Sequence, residues 1–117
     1  MISEIAYTVY PVTDLARARA FYEGVLGLKL TADFDGKWLE YELGAGVFAL
    51  TTMMGDGQRG TLSPSLAFEV QDFDAAIAKL RAAGVKFTME PFPTPVCRMA
   101  VVADPDGNGL IIHRRNG

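Results

Sequence analysis

Residues 5–27, IAYTVYPVTDLARARAFYEGVLG, decide the fold, because they predict a strand that runs through a polar turn into a helix. The segment IAYTVY, residues 5–10, is rich in β-branched and aromatic side chains, which favour an extended strand. Asp14 is suited to cap a helix N-terminus, since its carboxylate accepts from free amides of the first turn. Gly27 suits the position after the last turn. Apolar side chains recur between them at helical spacing, namely Leu15, Ala18, Phe21, Tyr22, Val25 and Leu26.

The same pattern returns in the second half of the chain. Residues 66–87, LAFEVQDFDAAIAKLRAAGVKF, again predict a strand, an N-cap at Asp72, an apolar helical stripe and a closing glycine, Gly84. Three further strands are predicted after each helix. They are Leu28–Phe34, Trp38–Leu43 and Val47–Thr52 in the first half, and Val85–Met89, Arg98–Ala103 and Leu110–His113 in the second. The order is βαβββ twice, which predicts an α+β fold.

The predicted organisation is one domain of residues 1–117, with module one at about 1–54, a linker at 55–64 and module two at about 65–117. Each module has one sheet face covered by its helix and one bare face. We expect the two bare faces to curl around a shared cleft, as an eight-stranded cup-shaped mixed sheet with helices outside. The linker GDGQRGTLSP contains GxGxxG, but no helical pattern follows it, so we interpret it as a flexible connection. PFPTP, residues 91–95, predicts a stiff loop.

Composition excludes several classes of protein. The chain of 117 residues is half hydrophobic with a formal net charge of −3, which argues against nucleic acid binding. A single cysteine, Cys97, rules out a disulfide framework within the chain. The N-terminus does not resemble a signal peptide, and no apolar run reaches the roughly 18 residues of a membrane span. We therefore expect a soluble, cytoplasmic protein without membrane partners.

Three motifs carry a resemblance to a known family. They are V-x-D-L at residues 12–15, A-F-Y-x-x-V-L-G-L at residues 20–28, and D-P-D-G-N at residues 104–108. With the paired βαβββ modules, they resemble the vicinal oxygen chelate superfamily. That superfamily includes glyoxalase I, bleomycin-resistance proteins, fosfomycin-resistance enzymes and extradiol dioxygenases. The resemblance covers essentially the whole chain, and it implies the eight-stranded cup, often completed as a homodimer.

The resemblance also implies four inward positions that bind a metal ion in the enzymes of the superfamily, typically through His and Glu. Counting from the motifs places these positions at Tyr7, Ala49, Ser65 and Ile111. Ala49 and Ile111 cannot coordinate an ion, and the hydroxyls of Tyr7 and Ser65 are weak ligands. The sequence therefore predicts no metal and no cofactor at these positions.

Alternation along the predicted strands gives a larger set of candidate ligand-binding residues. The set is Tyr7, Val9, Trp38, Glu40, Ala49, Thr51, Ser65, Glu69, Met99, Val101, Ile111 and His113. No nucleophile or oxyanion motif accompanies them, so no catalytic residue is assigned. A structural interpretation stays open for several, since Tyr7 could be a core aromatic residue and His113 a plain surface residue.

Three hypotheses follow from these residues. The first is a metal-free protein in the style of the bleomycin-resistance branch, which sequesters an apolar or aromatic small molecule. The alternative is a glyoxalase-like lyase or isomerase that uses acid–base residues, or a relocated metal held by Glu40, Glu69 and His113. The third is a protein whose cleft docks another chain. A homodimer is expected in each case, because a chain of this size leaves sheet edges to cover.

Overall fold

A computed structural model describes residue 1, residue 3 and residues 5–53 and 66–116 of the chain. The chain divides into two compact units, Met1–Arg59 (unit 1) and Gly60–Gly117 (unit 2). Both units have the predicted order βαβββ, so the α+β class and the internal repeat are confirmed. The linker at 55–64 and the candidate residue Ser65 lie outside the described residues.

Unit 1 contains a four-stranded sheet in the order β1-β4-β3-β2. Its strands are β1 (Thr8–Pro11), β2 (Ala32–Phe34), β3 (Trp38–Leu43) and β4 (Gly46–Thr51). β1 runs parallel to β4, while β2, β3 and β4 pair antiparallel. Asp35 and Gly36 both have positive φ, at 56° and 63°, which is the backbone that a tight hairpin between β2 and β3 requires.

The helix of unit 1 begins as predicted but changes its hydrogen-bond pattern halfway. The Asp14 carboxylate accepts from the Arg17 amide at 3.1 Å, and helix α1 spans Leu15–Arg19. Ala20–Val25 then form a π-helix, in which hydrogen bonds reach back one residue further. The apolar spacing predicted a regular helix throughout, so this second half is a correction.

The strand predicted at Leu28–Phe34 is shorter in the structure. It starts at Ala32, and the amide of Leu28 donates to the carbonyl of Tyr22 at 2.9 Å, so Leu28 closes the helix and does not extend the strand. Gly27 has φ of 78°, which confirms the glycine predicted at the end of this helix.

Unit 2 repeats the arrangement with the strand order β5-β8-β7-β6. Its elements are β5 (Ala67–Glu69), α2 (Phe73–Ala82), β6 (Phe87–Pro93), β7 (Cys97–Ala103) and β8 (Gly109–Arg115). The Asp72 carboxylate caps α2 by accepting from the Ala75 amide at 3.0 Å, and Gly84 has φ of 74°. The D-P-D-G-N motif forms the β7–β8 turn, where Asp104 accepts from the amides of Asp106 and Asn108.

Two strands of unit 2 end later than predicted. β6 continues to Pro93 although PFPTP was predicted as a loop, because β6 is an edge strand whose pairing with β7 is interrupted by register shifts. Such strands tolerate proline, since some of their amides have no ladder partner to lose. β8 extends to Arg115, which pairs with Cys97, so it is longer than the predicted Leu110–His113.

Each unit has a hydrophobic core on the side of the sheet that faces its helix. In unit 1 the rings of Tyr22 and Phe48 lie 5.1 Å apart, which joins helix to sheet. In unit 2 the buried residues include Phe73 and Leu80 of α2, Ala100 and Val102 of β7, and Leu110 and Ile112 of β8. No helix in the described part of the chain has the length and hydrophobicity that crossing a bilayer requires.

One polar cluster lies at the helix–sheet junction of unit 1. The buried Tyr41 hydroxyl donates to Glu23 at 2.8 Å, and Arg19 donates to the same carboxylate at 2.6 Å. Burial, and then the bond to Glu23, raise the pKa of Tyr41, whereas the Arg19 bond is the main cause that lowers the pKa of Glu23. Because the three groups satisfy one another on the helix side, we assign this cluster a structural role.

Candidate functional site

The candidate residues of unit 1 lie on one side of its sheet, which we call the helix-free face because helix side chains contact the opposite side. Tyr41 and Phe48 meet the helix, so the residues alternating with them point away from it. Strand register aligns the candidates, since Val9 pairs with Ala49, Ala49 with Glu40, and Thr51 with Trp38. The structure therefore brings the unit 1 candidates to one surface, as the alternation predicted.

An aromatic pair crosses the central strand of this face. The rings of Tyr7 and Trp38 lie 5.2 Å apart at an interplanar angle of 85°, an edge-to-face contact. Tyr7 directly precedes β1 and Trp38 begins β3, and these two strands are the neighbours of β4, where Ala49 contributes only a methyl group and is fully buried. Tyr7 nevertheless keeps 46% of its surface exposed. The pair is thus a partly exposed aromatic surface and not a core contact.

The only tryptophan of the chain also positions a carboxylate. Trp38 Nε1 donates to Glu40 Oε2 at 2.9 Å on the same strand. Glu42, two residues further on this face, is exposed. The helix-free face of unit 1 therefore combines aromatic rings with acidic groups.

Thr51 has a structural role in spite of its position on this face. Its hydroxyl donates to the Lys37 carbonyl at 2.7 Å and accepts from the Met53 amide at 3.0 Å, and the residue is fully buried. These bonds close the turn after β4, so the hydroxyl has little capacity left for a ligand.

Phe34 is a site residue that the sequence reasoning missed. It pairs directly with Trp38 across the β2–β3 hairpin, so it shares the helix-free face, and it is 56% exposed. Asp35-Gly36 signals the hairpin, but Phe34 and Trp38 are separated by a three-residue loop, a length that the motif alone does not specify. The overlong prediction for β2 obscured it.

The helix-free face of unit 2 carries a paired histidine and glutamate. The side chain of Arg98 contacts Asp74 and Phe73 of α2, so Arg98 is on the helix side. Met99 and Val101 lie an odd number of residues from Arg98 and therefore point away from the helix. Met99 pairs with His113 and Val101 with Ile111 in the β7–β8 ladder. The structure therefore places Met99, Val101, Ile111 and His113 on one surface with Glu69, the β5 partner of His113.

Glu69 holds His113 in one orientation. Glu69 Oε1 lies 2.6 Å from His113 Nδ1, and its Oε2 accepts from the backbone amide of Arg115 at 2.8 Å. The Arg115 amide first, and then His113, hold the pKa of Glu69 below its usual value. A carboxylate only accepts, so Nδ1 carries the proton, and in a neutral ring Nε2 is left as an acceptor. His113 is thus an oriented residue, in contrast to a plain surface histidine.

Two apolar residues of unit 2 were also missed. Met89 pairs with Val101 and Phe92 pairs with Met99, so both share the helix-free face, and Met89 is 48% exposed. Phe92 was missed because residues 91–95 were predicted as a loop. Met89 was missed because the register shifts of β6 change which face a residue occupies. Val101 itself is buried and offers little surface.

The resemblance assigns metal ligands to four positions, and the three that the structure describes offer no strong metal donor. Tyr7 contacts an aromatic ring, Ala49 is a buried methyl group, and Ile111 is a hydrocarbon. No group of three or more His, Cys, Asp and Glu side chains that could hold a metal ion occurs within the residues that the structure describes. Glu69 and His113 together supply two donors, one fewer than a protein metal site usually provides.

Comparison with known proteins agrees with these motifs. The model of the glyoxalase/bleomycin resistance protein/dioxygenase superfamily matches residues 4–112. A probable lactoylglutathione lyase of Vibrio parahaemolyticus is 31% identical, with 88% of this chain and 84% of the relative aligned. The crystal structure of TnmS3, an antibiotic binding protein from Streptomyces sp. CB03234, is 30% identical with a TM-score of 0.83, covering 98% of each chain.

A second Streptomyces sp. CB03234 structure, described as a glyoxalase/bleomycin resistance protein, is also 30% identical, with a TM-score of 0.76 over 97% of this chain and all of its own. The family match extends over nearly the whole sequence, and it includes the helix ends and the β7–β8 turn described above. The chain therefore belongs to the glyoxalase/bleomycin resistance protein/dioxygenase superfamily.

Proposed function

We propose that the protein is a metal-free small-molecule binding protein that sequesters an apolar or aromatic ligand. The observation that carries the proposal is the partly exposed Tyr7–Trp38 pair on the face that contains Ala49, where the family resemblance places metal ligands. Aromatic rings with open faces favour flat apolar molecules. The similarity to an antibiotic binding protein also supports a ligand-binding function.

Sequestration needs affinity and no reacting group, which is consistent with the chemistry of these faces. Met89, Phe92 and Met99 add adaptable apolar surface in unit 2, and methionine suits ligands of varied shape. We place the binding surface on the helix-free faces, and we infer that the working form is a homodimer, because each described sheet ends in strands with an unpaired edge.

The single tryptophan provides a direct test. Titration with a panel of aromatic antibiotics, including an anthracycline, a tetracycline and an ansamycin, is expected to change Trp38 fluorescence and to give calorimetric dissociation constants well below millimolar. Trp38→Ala is expected to weaken binding about tenfold, through loss of ring contacts. Leu43→Ala is the matched control, because Leu43 is on the same strand, is partly exposed and belongs to the helix side.

The outcomes separate the hypotheses. Binding that is weakened by Trp38→Ala and unaffected by Leu43→Ala supports sequestration at this face. The proposal is contradicted if every compound of the panel binds with a dissociation constant of a millimolar or weaker.

The oriented His113 favours a second candidate function, a lyase or isomerase that uses acid–base residues. Turnover of a hemithioacetal substrate that is lost in His113→Gln would favour this alternative over sequestration.

A further inference from the structure

The two units differ sharply in the charge of their strands. The four strands of unit 1 contain three acidic residues, Asp33, Glu40 and Glu42, and no Lys, Arg or His. The four strands of unit 2 contain both signs of charge, with Glu69 and Glu90 beside Arg98, His113, Arg114 and Arg115. Glu40 and Glu42 share the helix-free face, while Asp33 pairs with Leu39 of the helix side. The helix-free face of unit 1 is therefore anionic, and such a surface favours positively charged ligands.

Glu40 is the carboxylate on this face that is oriented and still available. Its Oε2 accepts from Trp38 Nε1, which fixes the group beside the aromatic pair. Within residues 5–53 and 66–116, no hydrogen bond or ion pair engages its Oε1. Glu69 in unit 2 differs, because His113 and the Arg115 amide engage both of its oxygens and Arg114 lies 3.8 Å away.

The aromatic residues beside Glu40 attract the same kind of ligand. An edge-to-face contact covers a face of only one ring of the Tyr7–Trp38 pair, and both residues stay partly exposed. Ring faces carry partial negative charge and attract cations, with tryptophan the strongest. Phe34, the cross-strand partner of Trp38, adds a third exposed ring.

We propose that the helix-free face of unit 1 binds an aromatic organic cation, with its rings against Tyr7 and Trp38 and its charged nitrogen against Glu40. This inference rests on the proposed function and adds the charge class of the ligand. A neutral aromatic compound makes the ring contacts alone, and an anionic one is repelled by Glu40 and Glu42.

Three acridines of one ring size test the charge preference. At neutral pH aminacrine is a cation, acridine is neutral and acridine carboxylate is an anion. Calorimetry is expected to rank their affinities in that order. Glu40→Gln is expected to weaken aminacrine binding about fivefold, as for a partly exposed ion pair, and to leave acridine binding unchanged.

Glu42→Gln is the matched control, because it removes the same charge from the same face of β3, further from Trp38. It is expected to change aminacrine binding much less. Glutamine at position 40 keeps an oxygen that can accept from Trp38 Nε1, and thermal unfolding checks that the variant folds. In the unaltered protein, added salt is expected to weaken aminacrine binding and leave acridine binding nearly constant.

Equal affinity for acridine and aminacrine, or equal losses in the two variants, overturns this inference and leaves the proposed function standing. Failure of all three acridines to bind overturns the inference and counts against the proposed function as well. The two failures are therefore distinguishable.

Discussion

Individual side chains on the helix-free faces divide into those already engaged and those still available. Thr51 and Glu69 use their polar atoms within the protein, whereas Glu40 keeps one oxygen available within the described part of the chain. Strand alternation placed all three on the correct face, because side-chain direction has a strict period of two. It did not predict the partners, since the Arg115 amide reaches Glu69 from 46 residues away. Contacts at that separation depend on strand register, which alternation does not define.

The Glu69 interactions predict a dependence of stability on acid pH. The pKa of Glu69 is lowered from 4.5 by the Arg115 amide and then by His113. A group with a lowered folded-state pKa stabilises the protein above its unfolded-state pKa, and that stabilisation is lost as pH falls through the folded value. Glu69→Gln is therefore expected to lower the urea midpoint modestly at neutral pH. The difference should vanish below the folded-state pKa of Glu69, where the wild-type carboxyl is also neutral.

Urea unfolding at a series of pH values measures this effect. Glu42→Gln is the control, because it removes a carboxylate that is exposed and has no polar partner among the described residues. It should leave the neutral midpoint nearly unchanged. If the difference in urea midpoint between the wild type and Glu69→Gln is as large at acid pH as at neutral pH, the carboxylate charge is not the source of the stabilisation.

Among the elements, the ends of the helices were predicted better than their interiors. Asp14, Asp72, Gly27 and Gly84 all have the capping roles that their chemistry indicates. These signals depend on a few adjacent residues and so can be recognised locally. The π-helix at Ala20–Val25 was not predicted, because apolar spacing reports which side is buried and not which carbonyl accepts. Adjacent Phe21 and Tyr22 are both buried there, in edge-to-face contact at 5.0 Å.

Substitutions at two glycines of this helical segment are expected to change the stability of the protein in opposite directions. Gly27 has φ of 78°, so Gly27→Ala forces a side chain into the left-handed region and is expected to cost about 1 kcal/mol. Gly24 lies inside the π-helix without positive φ, and an added Cβ meets no atom within 4 Å. Gly24→Ala is therefore expected to stabilise the protein by about 0.5 kcal/mol, because alanine loses less backbone entropy.

Chemical denaturation of the two variants beside the unaltered protein gives both values. Each variant is the control for the other, because both substitutions add one methyl group where no atom lies within 4 Å. Equal effects of the two substitutions would show that backbone conformation does not decide the outcome.

For the whole molecule, the repeat in the sequence correctly predicted two βαβββ units, because the same hydrophobic pattern and capping residues recur. The least accurate predictions were β2 and β6, which are edge strands with one neighbour each. Edge strands are constrained by fewer contacts, so their limits depend on bulges and helix closure more than on composition. The same uncertainty hid Phe34, Met89 and Phe92, which belong to those two strands.

The chemistry of the candidate site predicts that the protein as a whole is indifferent to divalent metal ions. A ligand that binds only the native state raises stability by an amount that grows with its concentration over its dissociation constant. Tyr7, Ala49 and Ile111 offer no strong donor, so neither dialysis against EDTA nor addition of Zn²⁺, Ni²⁺ or Mn²⁺ should move the unfolding temperature.

Calorimetric scans of untagged protein, with elemental analysis of the same sample, measure this independence. Within the described residues, His113 and Glu69 form an oriented histidine–carboxylate pair that could contribute to a relocated site, so His113→Ala is the variant that tests this place. A rise of several degrees with one metal, abolished by His113→Ala, would place an ion on the helix-free face of unit 2. Together with stoichiometric metal in the purified protein, that result would favour the lyase or isomerase alternative over sequestration. An unchanged unfolding temperature under all these conditions is what a binding protein that works through rings and a carboxylate requires.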